Sequence, residues 1–251
     1  MAGHSHWAKV KRAKATTDAR RGQLWSKLSK RIIVAAKHGG GKPDENLTLR
    51  YAIDEAKAAN MPNDTIERAI QKGTGELGGE NYEQALYEGY GPGGVAFLVE
   101  CLTDNRNRTA AEIRNAFERA GSQLGAAGCV AWMFQQKGSF VVSGEQADED
   151  TLMEVALDAG ADDVRAEGDL FEITCEVGDF SAVKQALADR DIETVSAEIA
   201  MVPNNTAKVG ADKAQQVIRL MEALEEHDDV QNVYGNFDIP EEIMAEAGKE
   251  H

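Results

Sequence analysis

The spacing of apolar residues changes at a glycine-rich stretch of this chain, and the change separates an all-helical segment from one that mixes strands with helices. Up to that stretch, at residues 73–79, apolar residues recur at the spacing of one helix face. Leu24, Trp25, Leu28, Ile32, Ala35 and Ala36 share a face of a helix expected from about Asp18 to His38. Gly39-Gly40-Gly41 ends it, and Pro43 resists an immediate restart. A second helix is expected from about Glu45 to Asn60, on Leu49, Ile53 and Ala56. A third opens after Pro62, with Asp64 and Glu67 spaced as N-cap and N3.

Beyond the glycines the pattern becomes that of strands. Ala85–Tyr90 and Val95–Thr103 read as strands around a Gly/Pro turn, Thr109–Ala120 as a helix and Gly128–Gln135 as a strand. Then come a strand (Gly138–Ser143), a helix (Glu149–Ala159), two strands (Asp163–Ala166, Leu170–Val177), a helix (Ser181–Arg190) and a strand (Ile192–Met201). That order, β-α-β-β-α-β, is a ferredoxin-like unit. A helix, Ala211–Glu226, and a strand, Val230–Asn236, follow and complete most simply the sheet begun at residue 85. The expected fold class is therefore α+β. A basic arm and three-helix domain (1–79) precede a discontinuous α/β domain (80–137 with 204–239). The ferredoxin-like domain (138–203) is inserted into it, and an acidic tail (240–251) follows.

Charge is as uneven as periodicity. The net charge of −16 argues by itself against a polyanion partner. Residues 1–42, however, hold eleven bases and one acid, a net of +10, which leaves −26 for the rest. A basic segment on an acidic body suits a polyanion partner, with the acidic body limiting indiscriminate contact. The candidate nucleic-acid-binding residues are Trp7, Lys9, Lys11, Arg12 and Lys14 on an arm without periodicity. Arg20, Arg21, Lys27, Lys30 and Arg31 of the first helix join them, and Arg20, Lys27, Lys30 and Arg31, with Lys37, fall largely opposite its apolar face. Trp7 beside lysines suits stacking on unpaired bases, or docking onto the protein's own body.

Asp104-Asn105-Arg106-Asn107-Arg108-Thr109 precedes a helix whose capping-box spacing, Thr109 with Glu112, places its start at Thr109. Arg106 and Arg108 would then crowd the positive end of that helix. Two readings stand side by side: an anion such as phosphate relieves the pair, or each arginine meets an acid such as Asp104 or Glu100.

Other chemistries lack support. Gly89-Tyr90-Gly91-Pro92-Gly93-Gly94 satisfies G-x-G-x-x-G, but a strand follows instead of a helix and Pro92 lacks an amide donor, so it reads as a turn between strands. Gly39-Gly40-Gly41-Lys42 fails as a phosphate loop because Pro43 follows. No Ser or Cys sits with a histidine in a nucleophile context, so neither catalytic residues nor a cofactor or metal are expected. Cys101, Cys129 and Cys175 are too scattered for a zinc site and fit buried thiols in a reducing cytosol. No apolar run approaches the ~18 residues of a membrane span, and the N-terminus has no apolar signal-peptide stretch.

Five motifs together resemble the YebC family: Ala2-Gly3-His4-Ser5-His6-Trp7 with the basic run after it, Gly39-Gly40-Gly41, Asn60-Met61-Pro62, YEGYGPGG at Tyr87–Gly94, and DNRNRT at Asp104–Thr109. The family pattern carries Lys where this chain has His6, which exchanges a fixed charge for a group titrating near neutral pH. The resemblance implies a three-domain cytoplasmic protein of the order just read. It implies a DNA-binding transcriptional regulator without enzymatic activity. The family also includes a mitochondrial translational activator, so a translation factor on ribosomal RNA or tRNA is the alternative.

Overall fold

Apolar spacing of three and four residues, punctuated by glycine, builds the amino-terminal part. The computed structural model describes residues 18–78, 81–240 and 243, with backbone alone at 18–20. The expected arm therefore lies outside the described residues, as does the acidic tail apart from Pro240 and Ile243. Helices α1 (Asp18–Gly39), α2 (Leu47–Ala58) and α3 (Asn63–Thr74) enclose Leu28, Ile32, Leu49, Ile53, Ala56, Ile66 and Ala69. Asn46 joins two of them. Its side chain caps α2 by accepting from the Leu49 amide (3.1 Å) and donates to the carbonyls of Ala35 (2.8 Å) and Gly40 (2.9 Å). Helix α3 starts one residue before the expected cap. Pro62 supplies the turn without a side-chain bond, and Asp64 sits in the first turn, 3.6 Å from Arg68. Gly73 lies where α3 crosses α1: a Cβ there would stand 2.5 Å from the Ile33 carbonyl oxygen.

Strands β1 (Glu83–Tyr90) and β2 (Ala96–Thr103) form an antiparallel hairpin, followed by α4 (Arg106–Arg119) and the short β3 (Gln123–Leu124). The hairpin turn needs glycine at Gly93 and Gly94, whose φ values are +74° and +77°, so the glycine-rich motif serves the turn. Helix α7 (Ala211–Glu225) leads to β9 (Val230–Gly235), which pairs with β2 and completes a sheet of order β3-β1-β2-β9. Helices α4 and α7 cover one face over Phe97, Val99, Phe117, Val217 and Leu224. On the other face Ala96, Leu98 and Tyr234 meet Val130, Phe134 and Ala200. Burial of β2 from both sides explains its run of consecutive apolar residues from Ala96 to Val99.

The strand expected at Gly128–Gln135 is absent in that form. Residues 131–133 make a 3-10 turn, and β4 runs unbroken from Phe134 to Ser143. The reason is a side chain: the Glu88 carboxylate accepts from the amides of Gly128, Val130 and Ala131, so these donors are withdrawn from any sheet. Strand β4 continues into α5 (Glu149–Asp158), β5 (Ala161–Glu167), β6 (Leu170–Cys175), α6 (Phe180–Asp189) and β7 (Thr194–Pro203). The sheet order β5-β6-β4-β7, all neighbours antiparallel, is that of the ferredoxin-like fold, with α5 and α6 packed over Phe140, Val142 and Ile173. The two-residue strands β8 (Ala207–Lys208) and β10 (Phe237–Asp238) pair in parallel beside α7. Cys101 and Cys175 are buried free thiols and Cys129 is half-buried; burial pushes Cys101 up to about 12. Among the described residues, no helix is long and apolar enough to cross a membrane.

Candidate nucleic-acid interface

Helix α1 carries Arg20, Arg21, Lys27, Lys30 and Arg31, which the sequence offers to phosphate. The structure corrects that for three of the five. Lys27 donates to the Glu225 carbonyl (2.5 Å), Lys30 to the Asp228 carbonyl (2.9 Å), and Gln23 to the carbonyl of Glu226. Glu225 and Glu226 end α7, where unpaired carbonyls and the helix dipole attract cations. Arg31 grips both oxygens of Glu55 (2.9 and 2.7 Å) and reaches Gln231 (3.1 Å) and Asn232 (2.7 Å). Part of the basic surface thus docks the helical bundle onto the acidic body, across some 200 residues of sequence.

Asp229 is the centre of that contact. It is 4 % exposed. Its Oδ1 accepts from Lys30 Nζ at 2.8 Å; its Oδ2 accepts from Arg108 Nη2 at 2.7 Å and from the Thr109 hydroxyl at 2.8 Å. Burial works to raise this carboxyl, but the hydrogen bonds from Lys30, Arg108 and Thr109 outweigh it and hold the group well below the usual carboxylate range. The bond to Asp229 in turn raises Arg108, with Asp104 (2.8 Å) adding to it.

These bonds explain the DNRNRT motif. Asn105, not Thr109, caps α4 by accepting from the Arg108 amide (3.1 Å). Thr109 is fully buried and bonds Thr103 (2.7 Å) as well as Asp229. Of the two readings for the arginines, Arg108 takes the acidic one. Arg106 is exposed, its carbonyl accepting from the Tyr87 hydroxyl (3.2 Å), and among the described residues its guanidinium meets no acid.

His227 and Glu112 complete the surroundings. His227 Nδ1 accepts from the Asp229 amide (3.0 Å) and its Nε2 lies 2.9 Å from Glu112. Glu112, His227 and Asp229 lie close enough together to suggest a metal centre. The Asp229 oxygens, however, are already filled by two cations and a hydroxyl, and a further cation beside Lys30 and Arg108 meets repulsion.

Arg21 is exposed, while the side chain of Arg20, and Trp7, Lys9, Lys11, Arg12 and Lys14, lie outside what the structure describes. Sequence reasoning missed Asp229, in the turn after α7, and Gln231 and Asn232, early in β9. The one local signal was the pair Asp228-Asp229 beyond a helix end, where acids are unfavourable without a cationic partner. A cleft of about 690 Å³ between α1, α2 and the hairpin is lined by His38, Tyr51 and Gln84, with the Arg31–Glu55 pair along one wall.

Family models match most of the chain. One described as "TACO1/YebC protein N-terminal domain" covers residues 5–76, and "TACO1/YebC second and third domain" covers residues 82–237. Among known proteins, a "Probable transcriptional regulatory protein" of Pelotomaculum thermopropionicum is 56% identical over 95% of this chain and 99% of that protein. Another so named, from Desulfatibacillum aliphaticivorans, is 55% identical over 98% of this chain and 100% of the relative. The crystal structure of a conserved hypothetical protein, Aq1575 from Aquifex aeolicus, matches with a TM-score of 0.81 and 46% identity. It covers 90% of this chain and 94% of that one.

Proposed function

The chain belongs to the TACO1/YebC family, and from that premise we propose that it is a non-enzymatic, nucleic-acid-binding regulator of gene expression, first as a DNA-binding transcriptional regulator in the cytoplasm. The relatives' printed names support the regulatory part. One observation carries the nucleic-acid part. With Lys27, Lys30 and Arg31 engaged internally, the sequence still holds Lys9, Lys11, Arg12, Lys14 and Arg20 in its first twenty residues against a single acid, Asp18. In this reading residues 1–79 meet the phosphates, with Arg106 as an outlying contact. The α/β unit (80–137 with 204–239) and the inserted unit (138–203) hold that part in place.

A second reading, a translation factor on ribosomal RNA or tRNA, is favoured by the docking of α1. Its mid-helix cations face the protein, so they are not offered to a major groove, whereas a basic arm suits irregular RNA. Salt-titrated binding to duplex DNA, ribosomal RNA and tRNA tests both. Replacing Lys9→Gln, Lys11→Gln, Arg12→Gln and Lys14→Gln together should lower the slope of log K against log salt by about three to four. Binding without any salt slope would overturn the proposal. Crosslinking in cells decides between promoter DNA and ribosomal RNA as the attached species.

A further inference from the structure

The ferredoxin-like sheet has two faces, and α5 and α6 cover one of them, over Phe140, Val142, Ile173 and Cys175. Side chains alternate along a strand, so the register puts Val141 of β4 with Leu170 and Glu172 of β6 on the opposite face. Arg165 of β5 and Ser196 of β7 flank them there, opposite Glu172 and Val141 respectively.

That opposite face is not open to water. Val141 is 4 % exposed, Leu170 1 % and Glu172 4 %. A strand residue on a solvated face keeps a good part of its side chain accessible, so atoms lie over these three. Neither Val141 nor Leu170 belongs to the core under α5 and α6. Farther along the same face Ala200 meets Ala96, Leu98 and Tyr234 of the α/β sheet, but Val141 and Leu170 take no part in that contact. Among the described residues, no apolar cluster includes either side chain.

The covering atoms must suit a negative surface. Asp163, Glu167, Glu172 and Glu198 share the face with two bases, Lys137 and Arg165. Arg165 Nε lies 2.6 Å from Asp163, and Lys137 Nζ lies 2.7 Å from Asp162 and 3.1 Å from Glu176. Burial pushes the Glu172 carboxyl up, and a cation brought against it offsets that cost.

Of the segments outside the described residues, one fits. Residues 79–80 are too few to cover three side chains. Residues 241–251 carry four glutamates against one lysine, and Ile243 among them packs on the α/β core instead. Residues 1–17 carry Lys9, Lys11, Arg12 and Lys14 without an acid, and Trp7 and Val10 supply apolar surface. They join the body at α1, whose Gln23 bonds the Glu226 carbonyl. Such a segment reaches up to about 58 Å, against a compact chain of this length on the order of 45 Å across.

We propose that residues 1–17 dock on this face of the ferredoxin-like sheet, their bases meeting Glu167, Glu172 and Glu198 and their apolar side chains covering Val141 and Leu170. An acidic face repels a polyanion, so its occupant is the arm and not a nucleic acid. The contact itself is independent of the nucleic-acid reading. With that reading it becomes a latch, because phosphates and carboxylates compete for the same cations, and this competition alone rests on it.

The full chain, dilute and at low salt, is treated with a carbodiimide, which joins a lysine amine to a carboxylate in contact with it, and linked peptides are identified by mass spectrometry. Links from Lys9, Lys11 or Lys14 to Glu167, Glu172 or Glu198 are expected, and they should fade at ~0.5 M salt. A mixture of unlabelled and nitrogen-15-labelled protein shows their origin: links within one isotopic form support the proposal. Links only between forms put a second copy on the face and overturn it, as does the absence of links to these glutamates. In the variant Glu167→Gln, Glu172→Gln, Glu198→Gln, trypsin should cut after Lys9 to Lys14 roughly tenfold faster, since cleavage tracks the open population. Unchanged cleavage in the folded variant overturns the docking. The same variant should bind DNA or RNA about tenfold more tightly. Removing equal charge from the outer side of α5 (Glu149→Gln, Glu154→Gln, Asp158→Asn) should change binding less than about twofold, which separates a latch from general repulsion. Faster cleavage with unchanged binding keeps the docking and refutes the latch. Binding by neither protein at any salt concentration refutes the nucleic-acid reading and leaves the docking to the crosslinks.

Discussion

Asp229 is tied to three side chains from two other elements, so its removal reaches far beyond one residue. Asp229→Asn keeps the shape but leaves Lys30, itself 9 % exposed, without its counter-charge. Such a loss costs about 3 kcal/mol, measurable as a lower urea midpoint at neutral pH. The carboxyl is held below its ordinary 3.8 in the folded chain, so its stabilisation is present above about pH 4 and is lost as the pH falls toward the folded value. The gap between parent and variant should therefore narrow below pH 4; a constant gap from pH 7 to pH 3 would refute the ionic account. None of this was legible locally. Asp229 follows a helix in a polar turn, and its partners lie 199 residues away in Lys30 and 121 in Arg108.

Elements were the readable scale, because the forces that specify them act within a turn or two of chain. Every long helix and strand of the ferredoxin-like unit lies where apolar spacing and glycine placed it, to within a few residues. Errors arose where a side chain from elsewhere took over a local role. Asn105 caps α4 because buried Thr109 is committed to Thr103 and Asp229, and Glu88 removes the amides of Gly128, Val130 and Ala131 from sheet pairing. Close approach between helices was also hidden, since Gly73 in isolation reads as a weak helix former. Gly73→Ala should improve local helix propensity, yet destabilise the protein by about 1–3 kcal/mol by pushing α3 off the Ile33 carbonyl. A rise in melting temperature would show that the two helices can move apart freely.

At the scale of the whole molecule, charge is the organising quantity, and its arrangement differs from the sequence expectation. The sequence divides into a basic amino-terminal segment and an acidic remainder, as if the two faced opposite ways. In the folded chain the mid-helix cations of α1 face the acidic body and hold it. Arg31→Gln should accordingly lower stability while leaving the salt slope of nucleic-acid binding within experimental error. A slope reduced by about one would mean that Arg31 reaches phosphate after all. The arm variant and the Arg31 variant thus separate binding cations from docking cations.

The sequence by itself determined the order of helices and strands, the ferredoxin-like succession and the excess of cations before residue 42, because periodicity and composition are local properties of a chain. Only the tertiary structure decided which of those cations meet water and which meet carboxylates. It also filled the DNRNRT motif with internal bonds. A cation's role depends on what stands within a few ångströms of it, and here those groups come from the far end of the chain.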